Sequence, residues 1–344
     1  MDCLCLGLLC ADLVCHPVPS LPEQGQLMET KRMELSLGGC AANTAFDLAK
    51  LGVSTGISGC VGDDVLADFI VATLNAAGVD TRGVVRSADV ATASTAVINV
   101  RDQDRRFISY AGANTAMTAA AIPEGLLESA SVLYIGGFLM LDGLESDAML
   151  QRLAQAREAG TRILLDVVQV DDADAMERLQ RVLPYTDVFL PNNDEAAWLT
   201  GFSDPWEQAE AFRSAGARTV VITEGDRGAH LMNEQLKLRV GAYDTDYQGG
   251  TGAGDAFDAG FIAALLQGHD LPTCLRWGSA LGAGRWAAHR PPAACSTGTR
   301  PSSSWRATRS RLSAAELREH GLERGVQLLV KSMTFLQARC LWSR

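Results

Sequence analysis

Short apolar runs bounded by turns recur along most of this chain, and they constrain its fold more than any other feature. VLYIGG (Val132–Gly137) and TVVIT (Thr219–Thr223) are continuous rather than alternating. A strand with one wet face alternates apolar and polar residues, whereas a strand covered on both faces does not. Similar runs lie at Cys3–Leu9, Thr55–Gly59, Arg162–Asp166 and Val188–Leu190. Between them, Asp64–Ala77, Glu145–Ala159 and Pro205–Ala215 read as helices. This alternation predicts an α/β fold, a mostly parallel central sheet with helices on both faces. One segment breaks the rhythm. Thr92–Val100 and Arg105–Tyr110 alternate apolar and polar residues around DQD, as an antiparallel hairpin does. Two readings fit it: a small β lid over the strand ends, where α/β folds bind ligands, or a simple decoration.

Composition narrows the function classes. Of 344 residues, 47% are apolar and 21% charged, which supports a packed core and excludes wholesale disorder. No apolar run reaches the roughly 20 residues of a membrane span. The opening MDCLCLGLLCADLV lacks a basic leader and a clean cleavage site, so it reads as a buried strand. The nine cysteines contain no CxxC pair, which suits reduced thiols in a cytoplasmic protein. A net charge of −11 argues against nucleic acid or an anionic membrane as partner. The charge is uneven. Residues 271–344 hold 12 basic and 3 acidic side chains, and no carboxylate occurs from Leu271 to Ala315. From Gly284 the sequence is rich in Arg, Pro, Ser and Ala without an apolar period, and reads as disordered or out of frame.

Four segments carry candidate chemistry. GGTGAGDAFDAGF (Gly249–Phe261) places four glycines ahead of an amphipathic helix, so backbone N–H groups can converge on an anion. Asp255 follows in the first turn, either compensating the helix dipole or taking a proton from a hydroxyl. The segment lacks the Lys-Ser/Thr of a P-loop, and Phe257 breaks a dinucleotide Gly pattern. SLGGCAANTAFDLAKLG (Ser36–Gly52) offers Gly38, Gly39 and Asn43 at a helix start, for a hydroxylated ligand or for the turn alone. PNNDEAAWLTG (Pro191–Gly201) sets Asn192 and Glu195 on one helical face. They could organise Mg²⁺ through waters or form a cap. VVITEGDRGAHL (Val220–Leu231) ends a strand at Thr223 and turns through Gly225 and Gly228.

Taken in order and spacing, these segments resemble the ribokinase-like (PfkB) carbohydrate kinase family. Gly7-x-x-x-x-Asp12 and Gly112-Ala113-Asn114 add to the match, which covers roughly residues 1–283. The resemblance implies a ribokinase-like three-layer fold with a β lid including about residues 92–111. The tail 284–344 stands apart. It implies ATP-dependent phosphorylation of a sugar hydroxyl, or of a nucleoside, in one kinase domain. By that analogy Asp255 is the general base, and Gly252, Ala253 and Gly254 offer N–H groups to the phosphoryl group. Asp12, Gly38, Gly39, Asn43 and Asn114 hold the substrate. Asn192, Thr223, Gly225, Gly228 and Gly254 line the nucleotide, with Asn192 and Glu195 ordering Mg²⁺ through water.

Departures from the family pattern have consequences. Gly249 stands where relatives usually carry Asp, which leaves a monovalent-cation site open. Phe138 replaces an acidic sugar contact, as an apolar wall suited to a nucleoside would. The match stops near Gly284, and a shifted frame can encode a family-like last helix there. A catalytically weak ligand-binding protein on the same scaffold is the alternative to an active kinase. The apolar hairpin permits a homodimer through the lid.

Overall fold

The computed structural model describes residues 1–101, 103, 105–243 and 252–287. The chain opens with β1 (Cys3–Gly7), passes Leu8 and Leu9, and continues as β2 (Cys10–Val18). Next come β3 (Met33–Gly38), α1 (Cys40–Lys50), β4 (Thr55–Gly62), α2 (Val65–Ala77) and β5 (Asp80–Ser87). The pair β6 (Ser94–Val100) and β7 (Arg106–Tyr110) precedes β8 (Val132–Gly136), α3 (Asp147–Glu158) and β9 (Arg162–Leu165). α4 (Ala175–Gln180), β10 (Val188–Phe189), α5 (Asn193–Thr200), α6 (Pro205–Ser214) and β11 (Thr219–Thr223) follow. β12 (Ala229–Met232), β13 (Lys237–Val240), α7 (Ala253–Leu266) and α8 (Leu271–Ala287) complete the described order. Among the described residues, no helix is long and apolar enough to cross a membrane.

A nine-stranded sheet runs β13-β12-β11-β10-β9-β8-β1-β4-β5. It is parallel except for β12 and β13, which add an antiparallel edge. Both faces are covered, which explains the continuous apolar runs. Leu4, Leu6, Leu133, Ile135, Ile163 and Leu165 join one core cluster, with Met149 of α3 and Phe212 of α6. Their neighbours Cys3, Cys5, Val132, Tyr134 and Leu164 point the other way and pack with Leu48 of α1, Ile70 of α2 and Phe261 of α7. Successive strand residues alternate between faces, so both sets must be apolar.

Two of the predicted helices start slightly early because capping residues were counted in, and the third begins at Pro205 as expected. Asp64 accepts from the N–H groups of Leu66 and Ala67, and Ser146 accepts from that of Met149. Four strands, β2, β3, β5 and β13, escaped the sequence reading. Cys3–Leu9 is not one strand: the chain breaks after Gly7 and re-enters extended structure as β2. The expected two-stranded hairpin is half of a four-stranded sheet ordered β3-β2-β6-β7. β2 pairs in parallel with β6, more than eighty residues away in sequence for each pair.

Strand order reverses between β1 and β8. From β1 the chain builds outward to β4 and β5, then returns to β8 and builds the other way. Ligands of such sheets bind at the carboxyl ends beside this switch. The two strand exits nearly touch there. Gly7 has φ +146°, and a Cβ on it would lie 2.2 Å from the Gly136 carbonyl oxygen. One polar contact ties the sheet to the inner helices: Tyr134 Oη donates to Asp258 Oδ2 of α7 at 2.8 Å, with both groups buried. Tyr134→Phe orphans that carboxyl, so urea unfolding should report a loss of about 1–3 kcal/mol.

Candidate active site

Every element that brings a predicted site residue meets at the carboxyl edge of the parallel strands. Asn192 follows β10, Thr223 ends β11, and α1 and α7 point their N-termini inward from beside β1. The Thr223 N–H donates to the Pro191 carbonyl at 3.1 Å, so these two strand exits are hydrogen-bonded. Two surface cavities of about 450 and 410 Å³ lie elsewhere. The larger is bordered by Arg162 and Arg218, at the opposite ends of the strands from this chemistry.

Asp255 sits in the first turn of α7. Asn43 Nδ2, from the first turn of α1, donates to Asp255 Oδ2 at 2.8 Å. Thr44 Oγ1 lies 3.4 Å from the Asp255 carbonyl oxygen. Asn43 was expected on the substrate, and the structure shows its amide orienting Asp255. Gly252 caps α7 with φ +75° and provides no capping side chain. Gly252 therefore offers no side chain to the first-turn N–H groups. A Cβ on Gly254 would meet nothing within 4 Å, so open space lies beside them. This arrangement can receive an anion.

Gly38 and Gly39 are required by close approach. A Cβ on Gly38 would lie 2.4 Å from the Asp12 carboxylate, and one on Gly39 the same distance from the Leu8 carbonyl oxygen. Asp12 pairs with Ser36 on one side and Thr95 on the other, and Thr95 with Ser109. These four residues form a polar row on one face of the lid sheet. Burial raises the Asp12 carboxyl above its usual range. Asn114 departs from expectation. Its Oδ1 accepts from the Leu9 N–H and its Nδ2 donates to the Leu9 carbonyl, both at 3.1 Å, and it is buried. Both ends of its amide brace the β1–β2 crossing, so it supports the lid hinge instead of presenting itself to a ligand.

Asn192 and Glu195 form a reciprocal cap on α5, with Asn192 Oδ1 accepting from the Glu195 N–H and Glu195 Oε2 accepting from the Asn192 N–H, each at 2.9 Å. The capping reading of this pair is therefore realised, and it leaves Glu195 Oε1 outside the cap. Burial lifts the Glu195 carboxyl to about 7 against the Asn192 N–H bond, and the Asp255 charge adds to the rise. Gly225 has φ +59°, and Gly228 has φ +99° with a Cβ that would lie 1.9 Å from the Val240 carbonyl oxygen. The turn after Thr223 is thus specified by backbone packing. Phe138 is 1% exposed and belongs to the core, so it does not wall the cleft. Gly249, the DQD positions 102 and 104, and the tail beyond Ala287 lie outside the described residues.

Sequence reading missed three site groups. Asp166 follows β9, and burial plus the charges of Asp258, Glu195 and Asp255 raise it well above the carboxylate range. Asp258 lies one turn beyond Asp255, and burial raises it too. Cys40 opens α1 beside Asp166 and Asp255. A carboxylate closing an apolar strand, as in RILLD, was the available signal for Asp166.

Residues 1–287 match the model of the pfkB family carbohydrate kinase. The chain belongs to this family of carbohydrate kinases, phosphotransferases that act on an alcohol group. It is 25% identical over 285 residues to the ribokinase of Haemophilus influenzae, covering 81% of this chain and 90% of that protein. It is 27% identical to a nucleoside kinase of Methanothermobacter thermautotrophicus, covering 81% and 87%. A candidate ribokinase II from E. coli, solved with ATP and Mg²⁺, superposes with TM-score 0.73 at 26% identity, covering 85% of this chain and 94% of that one. The fold and lid expected from the resemblance are those observed.

The raised carboxyls make stability depend on pH. A carboxyl whose folded pKa exceeds its unfolded one binds protons better when folded, and loses that stability as pH rises through the folded value. For Glu195 the window runs from its model-compound value of 4.5 to about 7. The nucleotide-free, Mg²⁺-free chain should melt at a higher temperature near about pH 5.5 than near about pH 8, and Glu195→Gln should flatten the difference. Calorimetric scans at both pH values check this.

Proposed function

We propose that this kinase transfers the γ-phosphoryl group of ATP to a hydroxyl of a sugar or a nucleoside, with Asp255 as the general base. The observation that carries this reading is the Asp255 carboxylate, held by Asn43 in the first turn of a helix whose N-cap residue is Gly252. Asp255 takes the proton of the accepting hydroxyl as its oxygen bonds to phosphorus and ADP leaves. The N–H groups of Gly252, Ala253 and Gly254 receive the negative oxygens of the moving group. Asp12, Gly38, Gly39 and the lid's polar row hold the acceptor. Thr223, Gly225 and Gly228 line the nucleotide. The carboxyl-rich cleft fits a divalent cation: Asn192 and Glu195 would hold Mg²⁺ through water, and the ion would neutralise phosphate charge.

ADP release should be measured with Mg·ATP against a panel of sugars and nucleosides. Acceptor-dependent release is expected. Asp255→Asn, whose amide is nearly isosteric, should lower kcat by about 10²–10⁴-fold with the melting temperature little changed. Unchanged turnover in that variant would overturn the assignment, and a folded wild-type chain inert on the whole panel would favour a binding scaffold.

A homodimer through the lid belongs to the same reading. Leu35, Leu13, Ala96 and Ile108 align across all four lid strands on the face opposite Asp12. Leu35 is 44% exposed, Leu13 42% and Ile108 68%. Pairing such faces removes this apolar surface from water. Light scattering should give a dimer for the wild type and a monomer for Ile108→Lys; a monomeric wild type would exclude it.

A further inference from the structure

Cys40, Asp166 and Asp255 bring one sulfur and two carboxylate oxygens within 4.8 Å of one another. They arrive from three separate elements: the first residue of α1, the residue after β9 and the first turn of α7. The Asp166 carboxyl is 9% exposed and faces this point. Among the described residues no amide, hydroxyl or cationic side chain donates to it, and the Cys40 thiol is its hydrogen-bonding partner. A carboxyl so buried is costly unless a positive charge or a set of donors compensates it. A divalent cation supplies that charge, and the sulfur decides which cation. Mg²⁺ demands octahedral oxygen coordination and keeps its waters. Thiolate with carboxylate suits a borderline-soft ion that accepts four ligands. Zn–S of about 2.3 Å and Zn–O of about 2.0–2.2 Å put tetrahedral donors roughly 3.5 Å apart. The three donors thus need to close by about an ångström, within reach of side-chain rotation. Burial and the charges of Asp255, Asp166 and Glu195 raise the Cys40 thiol well above its ordinary range, so an arriving cation must displace its proton.

We propose that Cys40, Asp166 and Asp255 bind a thiophilic divalent cation of the Zn²⁺ class, and that its occupancy arrests phosphoryl transfer. The metal–sulfur bond replaces the Cys40 S–H bond, the metal–oxygen bond replaces the O–H bond of a protonated Asp166, both protons leave to solvent, and no electron changes hands. Water completes the fourth position. Asp255, once coordinated, no longer takes a proton from the acceptor. This inhibition rests on Asp255 being the base, whereas the binding does not.

The full chain, stripped of metal, is titrated with Zn²⁺ by calorimetry and with Co²⁺ by absorbance. One ion per chain is expected, with a thiolate-to-cobalt charge-transfer band. Cys40→Ala should abolish the band and weaken Zn²⁺ binding by about 100-fold or more, at least the top of the range seen for outer-sphere partners. Cys40→Ser, which keeps the side-chain size, should lose the band likewise, and melting curves establish that both variants fold. Turnover is then followed at saturating Mg·ATP with free Zn²⁺ held by a metal buffer, each variant scaled to its own zinc-free rate. Zn²⁺ should inhibit the wild type, and Cys40→Ala should need about 100-fold more. An undiminished band or equal inhibition in Cys40→Ala would overturn the proposal, as would the absence of stoichiometric binding. A chain without turnover on any acceptor would refute the kinase reading while the calorimetry and the cobalt band still decide the site.

Discussion

Negative charge concentrated at the carboxyl edge of the sheet is the constraint on which the rest of this structure depends. Asp166, Asp258 and Glu195 are all raised above the ordinary carboxylate range, and burial is the largest cause each time. The Asp255 charge adds to the rise in all three, and the Glu195 charge adds to it in Asp166 and Asp258. Such a cluster costs free energy in the isolated chain, because like charges in a poorly solvated cleft cannot all ionise cheaply. The fold tolerates it by anchoring three carboxylates. Tyr134 grips Asp258 from the sheet, and Asn192 grips Glu195 through the α5 cap. Asn43 grips Asp255. A divalent cation entering the cleft would offset that charge.

The lid has a comparable two-sided logic. Its four strands carry a polar row through Ser36, Asp12, Thr95 and Ser109, and an apolar row through Leu35, Leu13, Ala96 and Ile108. Strand pleating puts the two rows on opposite faces. Its hinge is covalently short, since only Leu8 and Leu9 separate β1 from β2. The buried Asn114 amide pins that hinge by clasping Leu9 on both backbone groups.

Local patterns made much of the central architecture legible. Continuous apolar runs placed six strands of the main sheet, because a strand covered on both faces has no polar positions to spare. Helical patterning placed α2, α3 and α6 to within two residues at each start. The lid was only half legible. β2 contains His16 and Pro17 and pairs with β6 from far along the chain, so neither its composition nor its neighbours announce it. Phe138 shows the opposite failure: its position in the chain suggested a cleft wall, and only packing shows that it belongs to the core.

The sequence by itself determined the class of fold and the positions from which the chemistry is drawn. Period and composition are local properties, and glycines ahead of a helix followed by Asp255 imply an anion site and a base wherever the helix lies. Tertiary structure decided which groups meet. It joined Asn43 to Asp255 across 212 positions, bound the Asn114 amide to both backbone groups of Leu9, and set Asp166 and Cys40 beside Asp255. Those outcomes depend on which strand ends become neighbours when the sheet order reverses. Long-range pairing fixes that order, and no window of the sequence contains it.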